Sequence, residues 1–174
     1  PHHPDRLTAV HPTATSASAC RWYGVAMETL RLEELSAANI VAANGMTLKR
    51  GQEAFLAPNA RLEEFVNTQS AWQRVVFDGD EPVAFVMANF DPEVDREEYR
   101  SSVLRMYVAG TSQRKGVGSY TVEQVADEAR RQGFDSLYAV WEEGDQGPGK
   151  FFQAVGFEPI GENEYGEVIG RKTL

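Results

Sequence analysis

The sequence predicts one mixed α/β domain, of the α+β kind in which strands and helices alternate irregularly. Short apolar strands are interleaved with amphipathic helices, a glycine-bearing turn joins a strand to the longest helix, and 174 residues leave room for a single sizeable core. Residues 28–35 alternate through Thr29, Leu30, Arg31 and Leu32, the pattern of a half-buried strand. Ser36 suits the N-cap of a helix running through Ile40 and Val41. A second helix starts around Pro58-Asn59 and sets Leu62, Phe65 and Val66 on one face. Two strands, 72–77 and 82–90, flank Asp78-Gly79-Asp80, a hairpin signal. A polar link over 91–100 leads to a strand at 103–108. The helix at 119–132 places Tyr120, Val122, Val125, Ala126 and Ala129 near helical spacing, and Gly133 suits its C-terminal cap. Residues 136–141 read as another strand. Pro148 fits the first turn of a short helix holding Phe151, Phe152 and Val155, closed by Gly156, and 165–172 form the last strand.

Residues 1–26 differ from the rest. They are rich in Ala, Ser, Thr and Pro, lack hydrophobic periodicity and lack the apolar stretch of a secretory signal. They are expected to be an extension or tag remnant, anchored if at all by Trp22 and Tyr23, with the domain at 27–174. The division has a chemical consequence, because all three histidines (His2, His3, His11) and the one cysteine (Cys20) precede Met27. From Met27 onward a Ser-His-Asp triad, a Cys-His pair, a zinc site of the usual ligands and a disulfide are excluded. Acid–base work is left to carboxylates, tyrosines, lysines and water. No metal is expected. The lack of cysteine and of a signal fits a reducing cytoplasm, and no run of about 18 apolar residues suggests a membrane span. The chain carries −9; residues 1–26 hold Asp5 against Arg6 and Arg21, a net of +1, which leaves −10 on the domain. A broad basic face for nucleic acid is not expected on that balance. An acidic surface attracts cations, amines included, and also simply keeps a protein soluble.

The strongest functional signal is Gln113-Arg114-Lys115-Gly116-Val117-Gly118, set between the strand 103–108 and the long helix. A strand, a turn rich in backbone amides and a helix N-terminus together suit a phosphate group. Gly116 and Gly118 let main chain approach a ligand where a Cβ would obstruct it, and Arg114 and Lys115 add positive charge. The run is not a Walker loop, which needs a following Lys-Ser/Thr, nor the dinucleotide fingerprint with its longer glycine spacing.

The pattern Gln-x-x-Gly-x-Gly resembles the acyl-CoA pyrophosphate loop of the GNAT N-acetyltransferases. A second stretch, Gly147-Pro148-Gly149-Lys150-Phe151-Phe152-Gln153-Ala154-Val155-Gly156-Phe157, resembles that family's later signature, an aromatic pair before a Gly-Phe ending. The resemblance covers nearly all of 27–174. It implies a mixed sheet of about six to seven strands, splayed at the cofactor site and flanked by about four helices. It also implies acetyl-CoA as cofactor, entering the splayed gap as a pseudo-strand. Main-chain groups of Met106, Tyr107 and Val108 would hold the pantetheine arm and polarise the thioester carbonyl. Amides from Gln113, Arg114, Lys115, Gly116, Val117 and Gly118 would take the pyrophosphate. Homodimers are frequent in the family, so one is expected here.

Two positions depart from the pattern. Asp145 stands where Asn is common, and Phe152 stands where many members carry the Tyr that protonates the departing CoA thiolate. Either water serves, or a hydroxyl such as Tyr107 or Tyr138 substitutes, or catalysis is weak. A thiolate leaves readily near neutral pH because a free thiol has a pKa of about 8.5. Glu142, Glu143 and Asp145 follow the strand that borders the gap, so one of them is a candidate base acting through water, beside the plainer reading of solvated loop carboxylates.

For the acceptor, the resemblance is nearest to bacterial diamine and polyamine acetyltransferases, on Ala57-Pro58-Asn59, Leu104-Arg105-Met106 and the 147–152 run. Glu33, Glu34 and Glu53, with Glu63 and Glu64 beside them, lie in the region that usually builds the acceptor pocket, and a polyamine needs spaced counter-charges. Arg105 argues the other way, since eukaryotic polyamine members carry an acidic residue there. Three readings stay open: transfer to a small primary amine, preferably a polyamine; transfer to an aminoglycoside-like or protein amine; and an acyl-CoA-binding regulator of weak activity.

Overall fold

The computed structural model describes residues 29–46, 59–113, 116–145 and 147–174. Its strands are β1 (Leu30–Glu34), β2 (Trp72–Asp78), β3 (Glu81–Phe90), β4 (Ser101–Val108), β5 (Ser136–Trp141), β6 (Glu158–Glu162) and β7 (Val168–Thr173). Its helices are α1 (Ile40–Asn44), α2 (Asn59–Phe65), α3 (Val117–Arg131) and α4 (Gly149–Ala154). The strands form one sheet in the order β1-β2-β3-β4-β5-β7-β6. Neighbours are antiparallel except β4 and β5. That parallel pair is bridged by α3, as parallel strands need a long crossover.

The amphipathic pattern of α3 explains its place. Val122, Val125 and Ala126 are fully buried against Val86, Ala88, Val103, Leu137 and Ala139 of the sheet, and Ala129 is fully buried one turn on. Each valine so buried contributes about 1.5–3 kcal/mol. The helix ends in a left-handed Gly133 (φ +89°), with Gly133 N–H donating to Arg130 O and Phe134 N–H to Ala129 O, both at 3.0 Å. This is the C-cap expected of that glycine. Helix α4 closes in the same way, with Gly156 at φ +102° and Phe157 N–H donating to Phe152 O at 2.9 Å. The opposite face of the sheet is covered by α1 and α2, where Leu62, Val66, Tyr99 and Leu104 form a second cluster. There Phe65 stacks on Tyr99 with ring centroids 5.1 Å apart.

Three local expectations change. Ser36 does not cap α1 with its side chain; its backbone N–H donates to Asn39 Oδ1 at 2.9 Å, while Asn39 Nδ2 donates to Glu34 O at 3.0 Å. Asn39 thus ties β1 to a helix that starts only at Ile40. The last strand expected at 165–172 is instead Val168–Thr173, preceded by a turn with Gly166 at φ +75°. β6 was not foreseen at all: its five residues are exposed, and it pairs only with β7. At that end of the molecule Arg96 makes a two-pronged ion pair with Glu164 and lies 4.4 Å above the Phe65 ring. The guanidinium holds the Glu164 carboxyl down to about 2. No helix among the described residues is long and apolar enough to cross a membrane. Residues 1–26, Glu53, Ala57, Pro58, Arg114 and Lys115 lie outside the described residues.

Candidate active site

β4 keeps its antiparallel pairing with β3 as far as Ala84↔Val108, but it pairs with β5 only at Ser102↔Tyr138 and Val103↔Ala139. The two parallel strands therefore part after Val103 and open a wedge toward their carboxyl ends. A bulge accounts for the parting. Met87 faces Arg105 and the next residue, Ala88, faces Val103, so Leu104 is an extra residue on β4. Such an insertion bends its strand and ends regular pairing on the far side.

Backbone groups alternate along a strand. Ala109 N–H donates back to Val83 O on β3 at 2.9 Å, so the main-chain groups of Val108 and Met106 point the other way, into the wedge. Their side chains go elsewhere: Met106 packs on the α3 core and Val108 on the cluster of Val117, Ala84 and Leu30. The expected pseudo-strand site is thus a main-chain edge, lined by backbone polar groups that no neighbouring strand takes up.

The loop that follows is tied to this edge. Gln113 Nε2 donates to Val108 O at 2.8 Å, and Ser112 N–H donates to Ala109 O at 2.8 Å. Gly116 is left-handed at φ +83°, where residues with a Cβ are strained. Tyr120 N–H donates to Gly116 O at 3.0 Å and makes the first helical bond, so the amides of Val117, Gly118 and Ser119 precede the intrahelical ladder. The Val117 side chain is 1% exposed and belongs to the core, which leaves only its amide for a ligand. Gly118 has a packing reason as well as a binding one. A Cβ there would lie 2.9 Å from Cε2 of Phe151 and 3.8 Å from Cγ2 of Val108. The loop glycine therefore lets α3, β4 and α4 converge at the root of the wedge.

Phe152 lies within the core. It is 7% exposed, stacks on Trp141 at 5.5 Å and meets Phe157 edge-on at 5.3 Å. Trp141 is itself held between glycines: a Cβ on Gly149 would come within 2.8 Å of its Nε1, and one on Gly170 within 2.3 Å of its Cζ3. A ring without a hydroxyl thus occupies a closely fitted place beside the wedge.

On the other face of the sheet, beside α1, lies a cleft of about 400 Å3. Leu35, Ile40, Ala43 and Met46 line one wall, with Phe85 and Met87 on the floor. Its polar groups are Asn44, Gln73, Arg105 and Tyr107. Tyr107 stacks on Phe85 at 5.8 Å, as their cross-strand pairing requires. The side chains of Arg105 and Tyr107 thus face the cleft, while the main chain of Met106 and Val108 faces the wedge. Gln73 and Phe85 were not singled out from sequence, because strand register alone brings them beside Tyr107, nor was Asn44, which the end of α1 brings to the cleft.

The candidate carboxylates are dispersed. Glu142, Glu143 and Asp145 are exposed just past β5, on the rim opposite β4. Glu33 pairs with Arg31 at 3.3 Å on the edge strand, and Glu34 is exposed; neither lines the cleft. Glu63 and Glu64 are exposed on α2. The Tyr138 hydroxyl donates to Glu97 Oε1 at 3.0 Å, which turns it away from the wedge, and burial together with that bond pushes its pKa up. Tyr107 is therefore the candidate hydroxyl that the structure brings to the site.

The chain matches the "Acetyltransferase (GNAT) family" over residues 45–157, more than half its length. A comparison with curated proteins finds no match. Among solved structures it is similar to the GNAT domain of PAT from S. lividans, at 15% identity and a TM-score of 0.63, over 83% of this chain and 90% of that one. It is also similar to a GNAT family acetyltransferase from Elizabethkingia anophelis with acetyl-CoA bound (11% identity, TM-score 0.56, 84% and 99%). A third is the ribosomal-protein-S18-alanine N-acetyltransferase from Escherichia coli (15% identity, TM-score 0.58, 83% and 93%). At these identities the structures speak for the fold, which is the splayed seven-stranded sheet described above. Together with the family match over the β4–loop–α3 region, they show that this chain belongs to the GNAT family of acetyltransferases.

Proposed function

We propose that the protein transfers an acetyl group from acetyl-CoA to the primary amine of a small molecule, by direct attack while both are bound. That it is an N-acetyltransferase using acetyl-CoA follows from its family. The observation that carries the rest is the arrangement around β4: an open main-chain edge on the wedge side and a half-open cleft at Arg105 and Tyr107 on the same five residues. A cleft of about 400 Å3 has the size of a small-molecule site.

The residues fit the cofactor. Backbone groups of Met106 and Val108 that no neighbouring strand takes up suit an amide-bearing arm, and the loop amides at Gly116 to Gly118 suit a pyrophosphate. When bound, acetyl-CoA supplies an acyl group activated as a thioester. The β4 edge offers an N–H already fixed where negative charge gathers on the carbonyl oxygen. In the balanced reaction the carbon–sulfur bond breaks as the free amine nitrogen bonds the acyl carbon; the nitrogen loses one proton that ends on the departing sulfur, and before the attack the ammonium gives up another. Glu142 or Glu143 accepts that proton through water at the rim. Phe152 has no proton to return to sulfur, so water or the Tyr107 hydroxyl supplies it.

The polyamine preference draws no support from the cleft, whose described lining contains no carboxylate. Thiol release from acetyl-CoA, followed across a panel of amines, tests the proposal. Amine-dependent release is expected; acetyl-CoA binding without release for any amine would select the regulatory reading instead.

A further inference from the structure

We infer that the acceptor is an amino acid with an apolar side chain, held through its carboxylate by Arg105. This rests on the small-amine reading above and narrows it. Arg105 is the one charged residue among the described residues that line the cleft. Its position is a product of the bulge: Leu104 and Arg105 both turn from the α3 face, and Arg105 then sits opposite Met87 on the cleft floor. A chain with 26 acidic and 17 basic residues has thus placed a cation in its acceptor cleft.

The surroundings decide which ligand charge is favoured. Leu35, Ile40, Met46, Phe85 and Met87 make the cleft mostly apolar, and a charge acts more strongly there than in water. A guanidinium only donates hydrogen bonds, so it offers an ammonium no acceptor. A carboxylate would be attracted and could take two parallel N–H bonds from the planar fork. With five donors, a guanidinium can hold a ligand oxygen in addition to partners within the protein. Gln73 adds an amide at the same wall. Arg105 and Tyr107 lie on one face two residues apart, about 7 Å by strand rise, which suits a compact molecule with its amine directed toward the wedge and its carboxylate away from it. The apolar side chain would rest on Phe85 and Met87.

The test compares each amino acid with the amine that remains when its carboxylate is removed. L-methionine is set against 3-(methylthio)propylamine and L-phenylalanine against 2-phenylethylamine, with spermidine as a dication, in the thiol-release assay. The amino acids are expected to exceed their paired amines by about 100-fold in kcat/KM, mainly through KM. In Arg105→Gln that ratio is expected to fall to within a few-fold of one, and Arg105→Lys to keep part of it. Unaltered acetyl-CoA affinity in both variants would show that they are folded. Equal rates for paired compounds, or a preference for the amines or spermidine, would overturn the inference and leave the transferase standing. No release with any compound, despite acetyl-CoA binding, would overturn both.

Discussion

A methyl group added at Gly118 would test whether the cofactor loop and the wedge are one packed unit. The new Cβ would stand 2.9 and 3.0 Å from Cε2 and Cζ of Phe151. Carbon atoms rest at about 3.5–4.0 Å, so the ring must withdraw by roughly 0.5–1 Å. Phe151 is only half-buried and has room to swing. Overpacking of this kind costs about 1–3 kcal/mol, and exchanging a helical glycine for alanine returns up to about 1 kcal/mol. Gly118→Ala should therefore lose about 0–3 kcal/mol, a fall in Tm of at most about 12 °C for a domain of this size. The functional loss should be larger in proportion, because Phe151 is tilted against Phe152 at 5.3 Å and its displacement reaches the wedge. Calorimetric titration with CoA is expected to show binding weakened by about 10-fold, or about 1.4 kcal/mol. Phe151→Leu in the same chain makes room for the methyl, so the double variant should recover most of that loss. Undiminished CoA affinity in Gly118→Ala, or a double variant no better than the single one, would refute the reasoning.

Phe152→Tyr should raise the turnover of amine-dependent thiol release several-fold at pH 7, with Tm changed by less than about 3 °C, the outcome expected of a phenol oxygen that reaches the wedge and supplies the missing acid. A larger fall in Tm with unchanged turnover would instead mean that the ring's far end points into the core. Gly170→Ala has no such freedom: its Cβ would meet Trp141 at 2.3 Å, and Trp141 is 3% exposed with Gly149 close to its other edge. A loss above about 3 kcal/mol is expected in denaturant unfolding, and a loss below 1 kcal/mol would contradict the packing described. The Glu164 carboxyl, drawn from 4.5 to about 2 by Arg96, stabilises the fold above about pH 4.5, and that contribution disappears as pH falls toward 2. Urea midpoints measured at pH 5, 4 and 3 should therefore fall more steeply for the native protein than for Glu164→Gln. Parallel slopes would remove the ion pair from the account.

Local chemistry was legible in the sequence wherever one residue decides one turn. Gly79 in the hairpin, Gly133 and Gly156 as helix caps and Gly116 in the loop all take the positive φ that their positions suggested. The order of strands and helices, with the two signatures that carry the family resemblance, sufficed for the splayed mixed sheet. What escaped was set by pairing across the sheet. β6 carries Pro159 and Gly161 and no apolar alternation, so only β7 makes it a strand. The cleft depends on Gln73 and Phe85 facing Met87 and Tyr107, a register that no single strand encodes. Trp141 reads as a core residue, yet its fit between Gly149 and Gly170 joins segments far apart in the chain. Glu33 and Glu34 looked like counter-charges for an amine because their number was visible and their direction was not.

The bulge at Leu104 divides labour within five residues. Past it, β4 turns its peptide groups to one edge and the side chains of Arg105 and Tyr107 to the other site. Peptide groups are the same whatever residue carries them, so substitutions at 105 and 107 can change which amine is accepted while the cofactor edge stays as it is. A deletion at 104 would do the reverse: Arg105 and Tyr107 would keep their face, because Leu104 and Arg105 lie on the same side, but β4 would lose the bend that parts it from β5 and opens the cofactor edge. Specificity at this site is therefore free to drift by substitution and closed to drift by loss of a residue, which suits a scaffold to many acceptors without a change in its chemistry.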